Sequence, residues 1–383
     1  MKFLSYWLDS PYTPRAALPG DVETDVVIVG GGITGISAAY HCTRKGMKVV
    51  LVEKDLLAHG PAGKNSGMVV EGLEADFMYA AEKLGMDTAK EMWMRTIEAR
   101  ALTRSLVREH GIECDLEEGG GIFVSTSDAE NEHLRKEMQM RRDASIASEL
   151  MKEGTQLKGT AFKDALYTPD DFILNPIKFL RALASIAEAN GARIYENTPA
   201  TAFDERTVTT PHGVIRAKRV VLAMERNTPS MSEERCFMWG HQGIVTEPLA
   251  EDAVAALDWN TGRALWTIGD DYVSLRKIGS RLFFSSIIQP DLPEPEWEAA
   301  RNRALGRFME YFPSLRNAGL IVSHHWTCVL VYPHTQRPYL GNPNGYYEVF
   351  GHGGNGLTSG ILLGKVLADS LGGAEVPELY QLN

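Results

Sequence analysis

Three glycines at fixed spacing, Gly30, Gly32 and Gly35 in the run DVVIVGGGITG, follow an apolar strand pattern directly and open a helical one. That arrangement can cradle a pyrophosphate. The first glycine allows a tight turn, the second lets backbone approach the phosphates, and the third lets helix and strand pack closely. The helix start, with Ile33 and Thr34 inside the motif, offers free N–H groups to an anion. Glu53, followed by Lys54, closes a second apolar strand, Val49–Val52, where a carboxylate can accept hydrogen bonds from a ribose hydroxyl pair. The chemistry indicated is dinucleotide binding. An acid at Glu53 disfavours NADP, whose ribose phosphate it would repel, and leaves both FAD and NAD open.

Stepping from motif to elements, strand, glycine turn, helix and strand form a βαβ unit, which implies a parallel sheet. Gly85–His110 reads as a helix with Met92, Ile97, Leu102 and Leu106 on its apolar side, and Gly119–Ser125 as a strand. Asp128–Lys152 reads as a charged amphipathic helix. Pro176–Asn190 reads as another, with Pro176 suited to the first turn and Gly191 ending it. Strand patterns follow at Arg193–Tyr195, Thr207–Thr210 and Val214–Ala223. From Gly243 the pattern is antiparallel, with Ile244–Thr246, Asp271–Leu275 and Arg281–Ser286. Trp326–Tyr332 precedes a glycine-dense turn, Gly351–Gly356, and a closing helix, Leu357–Leu371. The expected fold class is α/β: a Rossmann-like nucleotide-binding domain with a discontinuous, mostly antiparallel-sheet substrate domain. The expected boundaries are 1–80, 155–230 and 325–383 for the first, and 81–154 and 231–324 for the second.

Composition sets limits. The 383 residues are 44% hydrophobic and 23% charged, which suits a folded globular chain rather than a disordered one. A net charge of −11 argues against nucleic acid as a partner, because phosphate binding needs clustered Lys and Arg. Cys42, Cys114, Cys236 and Cys328 lie far apart with no CxxC pair, so neither a metal site nor a disulfide framework is expected. No secretory signal pattern and no apolar run near the length of a membrane span are found, and a soluble, cytoplasmic protein is the expectation. Oligomeric state is not legible.

Four further stretches carry a resemblance. The loop after the ribose acid, Gly60–Gly67, reads GPAGKNSG. Leu174–Ala200 reads LNPIKFLRALASIAEANGARIYENTPA, Thr246–Leu249 reads TEPL, and Gly351–Thr358 reads GHGGNGLT before a helix. In this order they resemble the D-amino-acid-oxidase-like FAD-dependent oxidoreductases, the glycine and sarcosine oxidase group, over nearly the whole chain. The Ser5–Asp9 lead (SYWLD) and the Trp326–Gly341 stretch ending RPYLG look most similar to the gamma-glutamylputrescine-oxidase-like amine oxidases.

The resemblance implies FAD. Gly63, Lys64, Asn65, Ser66, Gly67 and Met68 would join the first motif in holding it, together with Ala200, Ala223 and Arg337. So would Gly351, His352, Gly353, Gly354, Asn355, Gly356, Leu357 and Thr358, where a helix N-terminus faces the flavin edge and favours negative charge. Cys328 falls on the strand where the monomeric sarcosine oxidases attach flavin covalently, whereas polyamine-type relatives usually have glycine. A covalent link through Cys328 is thus one option and a buried structural thiol the other.

The reaction implied is oxidation of a C–N bond in a primary or secondary amine to an imine, which hydrolyses to the carbonyl, with reoxidation by O2 or another acceptor. A polyamine-like small-molecule substrate is favoured, because the arginine that glycine oxidases place before "PGT" is missing from Val329–Pro333. The alternative is an amino-acid or N-methyl-amino-acid oxidase or dehydrogenase anchored by Arg276 or Arg337. His241 and Tyr332 are the candidates to line the substrate pocket, and Lys277 to assist oxygen chemistry. Glu71, Glu74 and Asp76 could receive a cationic tail. Two departures, Glu225 where the family ends its late strand in "ATG" and Ser285-Ser286 where it often has "GG", keep a flavin-binding, non-catalytic subunit as an alternative of another class.

Overall fold

The structure, a computed structural model, describes residues 1–73, 76–151, 159–255, 257, 262–268, 272–316 and 318–381. Two eight-stranded sheets organise it. The path through the first runs Tyr339–Gly341, Tyr347–Phe350, Gly213–Leu222, Val22–Val29, Val49–Val52 and Arg193–Tyr195. The pairs from Tyr347–Phe350 onward are parallel. Val27, Ile28, Val50 and Leu51 are fully buried, as expected where helices or loops cover both faces of parallel strands. Thr207–Thr210 hangs from Gly213–Leu222 as an antiparallel hairpin.

The Ile33–Arg44 helix packs on this sheet beside the closing Gly356–Leu371 helix. Gly360 and Gly364 make the approach close: a Cβ on Gly360 would sit 2.9 Å from Ile33, and one on Gly364 2.5 Å from Ser37. Ser37 seals the contact by donating to the Ile361 carbonyl at 2.7 Å. Because Ile33 meets Gly360 and Ser37 meets Gly364, the two helices run parallel, and their positive ends open on the same side of the molecule.

The second sheet has the order Val322–Pro333, Cys236–Thr246, Arg281–Ile288, Val273–Ile278, Ala264–Thr267, Gly121–Val124, Ala165–Thr168 and Glu149–Met151. All its pairs are antiparallel except Ala264–Thr267 with Gly121–Val124. Its core side packs Leu275, Leu282 and Phe284 against Phe308 and Phe312 of the Glu294–Tyr311 helix region.

Several expectations need correction. The strand expected at Trp326–Tyr332 spans Val322–Pro333 and belongs to the antiparallel sheet, so a boundary at 325 cuts through it. Ala165–Thr168 joins that same sheet, inside the 155–230 segment assigned to nucleotide binding. The helix expected over Asp128–Lys152 ends at Asp143, where Ser145 turns left-handed at φ 63°, and Glu149–Met151 pairs as a strand. Within the strand expected at Asp271–Leu275, Asp271 lies outside the described residues, and the observed strand is Val273–Ile278. Among the described residues no helix is long and apolar enough to cross a membrane, and no group of three or more His, Cys, Asp or Glu could hold a metal ion. The four cysteines are free.

Candidate cofactor and substrate site

The three glycines of the first turn do different work. Gly30 takes φ 113°, and a Cβ there would lie 2.3 Å from the Ala223 carbonyl oxygen. Ala223 in turn donates its N–H to Val29 at 2.9 Å, so its part is to wall the turn. A Cβ on Gly35 would be 2.0 Å from the Gly30 oxygen, whereas one on Gly32 would meet nothing within 4 Å. Tight turn, close packing and an open approach are thus divided among the three in the way a phosphate cradle needs. Glu53 sits beneath: Oε2 accepts from the Gly31 N–H at 2.7 Å and Oε1 from the Asp55 N–H at 3.0 Å. Lys54 is exposed, and Ala200 packs at the edge of the Val208 and Leu222 core.

The second loop, Gly63–Gly67, is held by its carbonyls. Ser5 Oγ donates to Gly63 O at 2.6 Å, Trp326 Nε1 to Lys64 O at 2.9 Å, and Trp7 Nε1 to Asn65 O at 2.7 Å. Arg276 Nη1 donates to Ser66 O at 3.0 Å, Gly67 O at 3.2 Å and Leu174 O at 2.8 Å. Five consecutive carbonyls are tied by four side chains from outside the loop. A trans peptide points its N–H opposite to its C=O, so each tie turns the following N–H to the other side of the loop. The Asn65 carboxamide reinforces the shape, accepting from Gly67 N–H at 2.8 Å and donating to Ala62 O at 2.7 Å. Met68 follows in a short strand, buried.

The third turn leads into the closing helix. Gly351 and Gly353 have φ 81° and 57°, and both press on the end of the Val322–Pro333 strand: a Cβ on Gly351 would be 2.4 Å from Pro333, and one on Gly353 3.1 Å from the Tyr332 ring. Asn355 Nδ2 donates to Gly72 O at 2.6 Å, and Thr358 Oγ1 exchanges hydrogen bonds with Val70 at 3.2 Å. Leu357 is buried beneath, while Gly354 is exposed and Gly356 half-buried. His352 lies within 3.0 Å of Thr34 Oγ1 through Nε2, linking this turn to the first. Burial lowers its pKa to about 4 and holds the imidazole neutral.

Strand alternation puts Trp326, Cys328, Leu330 and Tyr332 on one face of the antiparallel sheet, with Phe237, Trp239 and His241 beside them. Trp326 reaches Lys64 from this face, so it is the cofactor side. Tyr332 Oη and His241 Nε2 lie 3.0 Å apart. Burial lowers the His241 pKa to about 4, and the ring is neutral near pH 7. Tyr332 stacks on Phe237 with centroids 5.4 Å apart and touches Trp239 at 5.1 Å. Cys328 pairs opposite His241, half-buried, and burial pushes its thiol up to about 11. A cleft opens beside Tyr332, lined by Gly72, Leu73, Met92, Arg95, Gly353 and Asn355.

Other candidates fall elsewhere. Arg276 is 2% exposed and committed to the loop carbonyls, which removes it as a substrate anchor. Lys277, next in the strand, points to the opposite face of the sheet and donates to Leu257 O at 3.3 Å, away from the cofactor side. Arg337 is half-buried in the turn after Pro333. Glu71 does not greet a cationic tail: it is buried among Trp93, Arg100 and Arg141, and Arg100 also pairs with Asp171. Asp76 caps the Phe77–Leu84 helix and pairs with His133 at 2.6 Å, and Glu74 lies outside the described residues. Ser286 faces away from the cofactor side and accepts from Gln242 at 3.1 Å.

Sequence reading missed Ser5, Trp7 and the role of Arg276. Only the SYWLD resemblance signalled the first two, and nothing local signalled the third.

The residues present fit a flavin dinucleotide. Gly32 leaves an open approach at a helix N-terminus, Glu53 ends the second parallel strand beside that turn, and the buried Nδ1 of His352 has no partner among the described residues. Three backbone turns converging where two parallel helices begin define a flavin-type oxidoreductase fold. The chain belongs to the DAO family of FAD-dependent oxidoreductases, whose model matches residues 25–370.

Among curated relatives it is 26% identical to the gamma-glutamylputrescine oxidoreductase of Escherichia coli K12, covering 94% of this chain and 87% of that one. It is 24% identical to a glycine oxidase of Geobacillus kaustophilus, covering 90% and 92%. The crystal structure of glycine oxidase from that organism superposes with a TM-score of 0.78 at 20% identity, over 94% of this chain and 98% of the other. An L-amino acid deaminase from Proteus vulgaris gives 0.76 at 17%, over 97% and 99%. The protein is an FAD-dependent oxidoreductase of the group acting on C–N bonds of amines or amino acids.

Proposed function

We propose that this enzyme oxidises a primary or secondary amine, polyamine-like in character, to the imine that hydrolyses to a carbonyl. The observation that carries the reading is the composition of the cofactor-side sheet face. Phe237, Trp239, His241, Leu330 and Tyr332 line it, and Arg276 and Arg281, which strand alternation puts on that face, are spent on backbone carbonyls and on Glu247. A carboxylate substrate would want a free bidentate guanidinium, and an ammonium is suited by aromatic faces. The similarity to gamma-glutamylputrescine oxidoreductase supports the same reading.

FAD, when bound, supplies the two-electron oxidation. Residues Gly30–Gly35, Glu53, Gly63–Met68 and Gly351–Thr358 would hold it. His241 and Tyr332 form one hydrogen-bonded unit facing the substrate side. With its imidazole neutral, His241 can donate or accept the hydrogen bond that Nε2 shares with the Tyr332 hydroxyl, and so fix that hydroxyl's orientation toward the substrate side. The cofactor is read as non-covalently held, because burial keeps the Cys328 thiol protonated and a thiolate is the attacking form.

Anaerobic titration of the yellow protein tests the function. Bleaching by diamines and secondary amines is expected. Bleaching confined to carboxylate-bearing compounds would overturn it in favour of an amino-acid or N-methyl-amino-acid enzyme. One observation favours that second reading: Arg95 lines the cleft beside Tyr332, although its guanidinium already pairs with Glu98 at 3.0 Å.

A further inference from the structure

Glu225 stands at the end of the Gly213–Leu222 strand with φ 51°, a left-handed conformation that a long side chain rarely adopts. Such strain persists where surrounding contacts hold it, and here the contacts are made by the carboxylate. Oε1 accepts from the N–H of Gly351 at 3.2 Å and of His352 at 3.4 Å. Oε2 lies 3.7 Å from His352 Nε2, and that same nitrogen lies 3.0 Å from Thr34 Oγ1. The chain of contacts runs from the late strand, through the glycine turn that heads the closing helix, to the first turn of the dinucleotide helix. His352 has a second buried nitrogen, Nδ1, without a partner among the described residues.

We infer that Glu225 is a positioning residue for FAD: its carboxylate, acting through His352, fixes the turn at Gly351–His352 against Thr34 and so sets the spacing between the backbone turn that takes the pyrophosphate and the one that faces the flavin. The side chain need not touch FAD. It occupies two amide donors at the flavin-side turn and orients the imidazole, so that the Nδ1 edge is presented to the site while Nε2 stays on Thr34. A glycine at this position would leave both amides without this acceptor and the imidazole held by Thr34 alone.

The test separates bracing from backbone strain. Glycine adopts φ 51° without penalty, so on backbone grounds alone Glu225→Gly should leave the apoprotein at least as stable as the wild type. On the inference, the same variant binds FAD about tenfold more weakly or worse, by titration of apoprotein with FAD. Glu225→Gln keeps an acceptor for the two amides and stays within about threefold of wild type. Thr34→Val, which removes the far end of the chain, weakens FAD binding in the wild-type background. Added to Glu225→Gly, it causes little further loss, because contacting residues in one network are non-additive. Wild-type FAD affinity in Glu225→Gly, or a double variant whose loss is the product of the two single losses, overturns the inference. All readouts are taken without substrate, so they stand apart from the amine-oxidation reading.

Discussion

The indole N–H of Trp7 donates to the backbone carbonyl of Asn65 at 2.7 Å, which fastens the N-terminal lead to the centre of the second cofactor loop. The Trp7 ring also stacks beneath the Arg276 guanidinium, 5.2 Å from its centroid, so two of the loop's four tethers support one another.

Trp7→Phe keeps the ring and loses the donor. The Asn65 carbonyl is then left without its partner in a mostly buried setting, at a cost of about 1–2 kcal/mol, or roughly tenfold in FAD affinity. Equilibrium titration of apoprotein with FAD measures it. Affinity equal to wild type would show that the tether does not shape the cofactor loop.

Arg276→Gln should be more severe. One buried cation satisfies three carbonyls, and its loss is expected to destabilise the fold by about 3 kcal/mol and to yield protein purified without its yellow colour. Arg276→Lys should restore both only in part: the three carbonyls all meet Nη1, and the shorter lysine side chain brings its ammonium less far toward the loop and gives up the planar guanidinium over Trp7. Thermal melts and the visible spectrum together report the outcome.

Tyr332→Phe removes the hydroxyl 3.0 Å from His241 and leaves the ring against Gly353. FAD affinity should stay unchanged while kcat/KM for the best amine falls by about tenfold. An equal loss in cofactor binding would place the hydroxyl in the wrong role.

Burial raises the Glu225 carboxyl to about 7 from an ordinary 4.5. The folded pKa lies above the unfolded one, so the group favours folding below pH 4.5 and that contribution is lost as pH rises through 7. Comparing apoprotein melts of wild type and Glu225→Gln, the wild type should lose ground relative to the variant between pH 5 and 8. A constant difference across that range would rule out this titration.

With the Cys328 thiol pushed up to about 11, acid precipitation should release all flavin to the supernatant. Flavin retained in the pellet would instead establish a covalent attachment.

The first βαβ unit was legible because every signal is local: buried strands, three glycines and an acid within thirty residues, each with a backbone reason for its spacing. The glycine turn at Gly351 was legible for the same reason. The tethers were not, since Trp326 and Lys64 are 262 residues apart and no periodicity connects them. Lys277 and Arg276 show the related limit: adjacent in sequence, they point to opposite faces, and only the sheet register says which one meets the cofactor loop. The Glu294–Tyr311 helix was missed because its buried stripe, Ala300, Ala304, Phe308 and Tyr311, begins with two small residues that carry little hydrophobic contrast. The helix at Asp128 reads too long because no glycine or proline follows Asp143 to mark the left-handed Ser145.

The tethering of Gly63–Gly67 has a consequence for biogenesis. Its fasteners come from residues 5, 7, 276 and 326, so a nascent chain carries the loop long before it carries the means to shape it. The loop acquires its final form only after the Val322–Pro333 strand has left the ribosome and docked. A chain cut short before Trp326 would therefore lack one of the four fasteners, and cofactor capture is expected of the finished polypeptide.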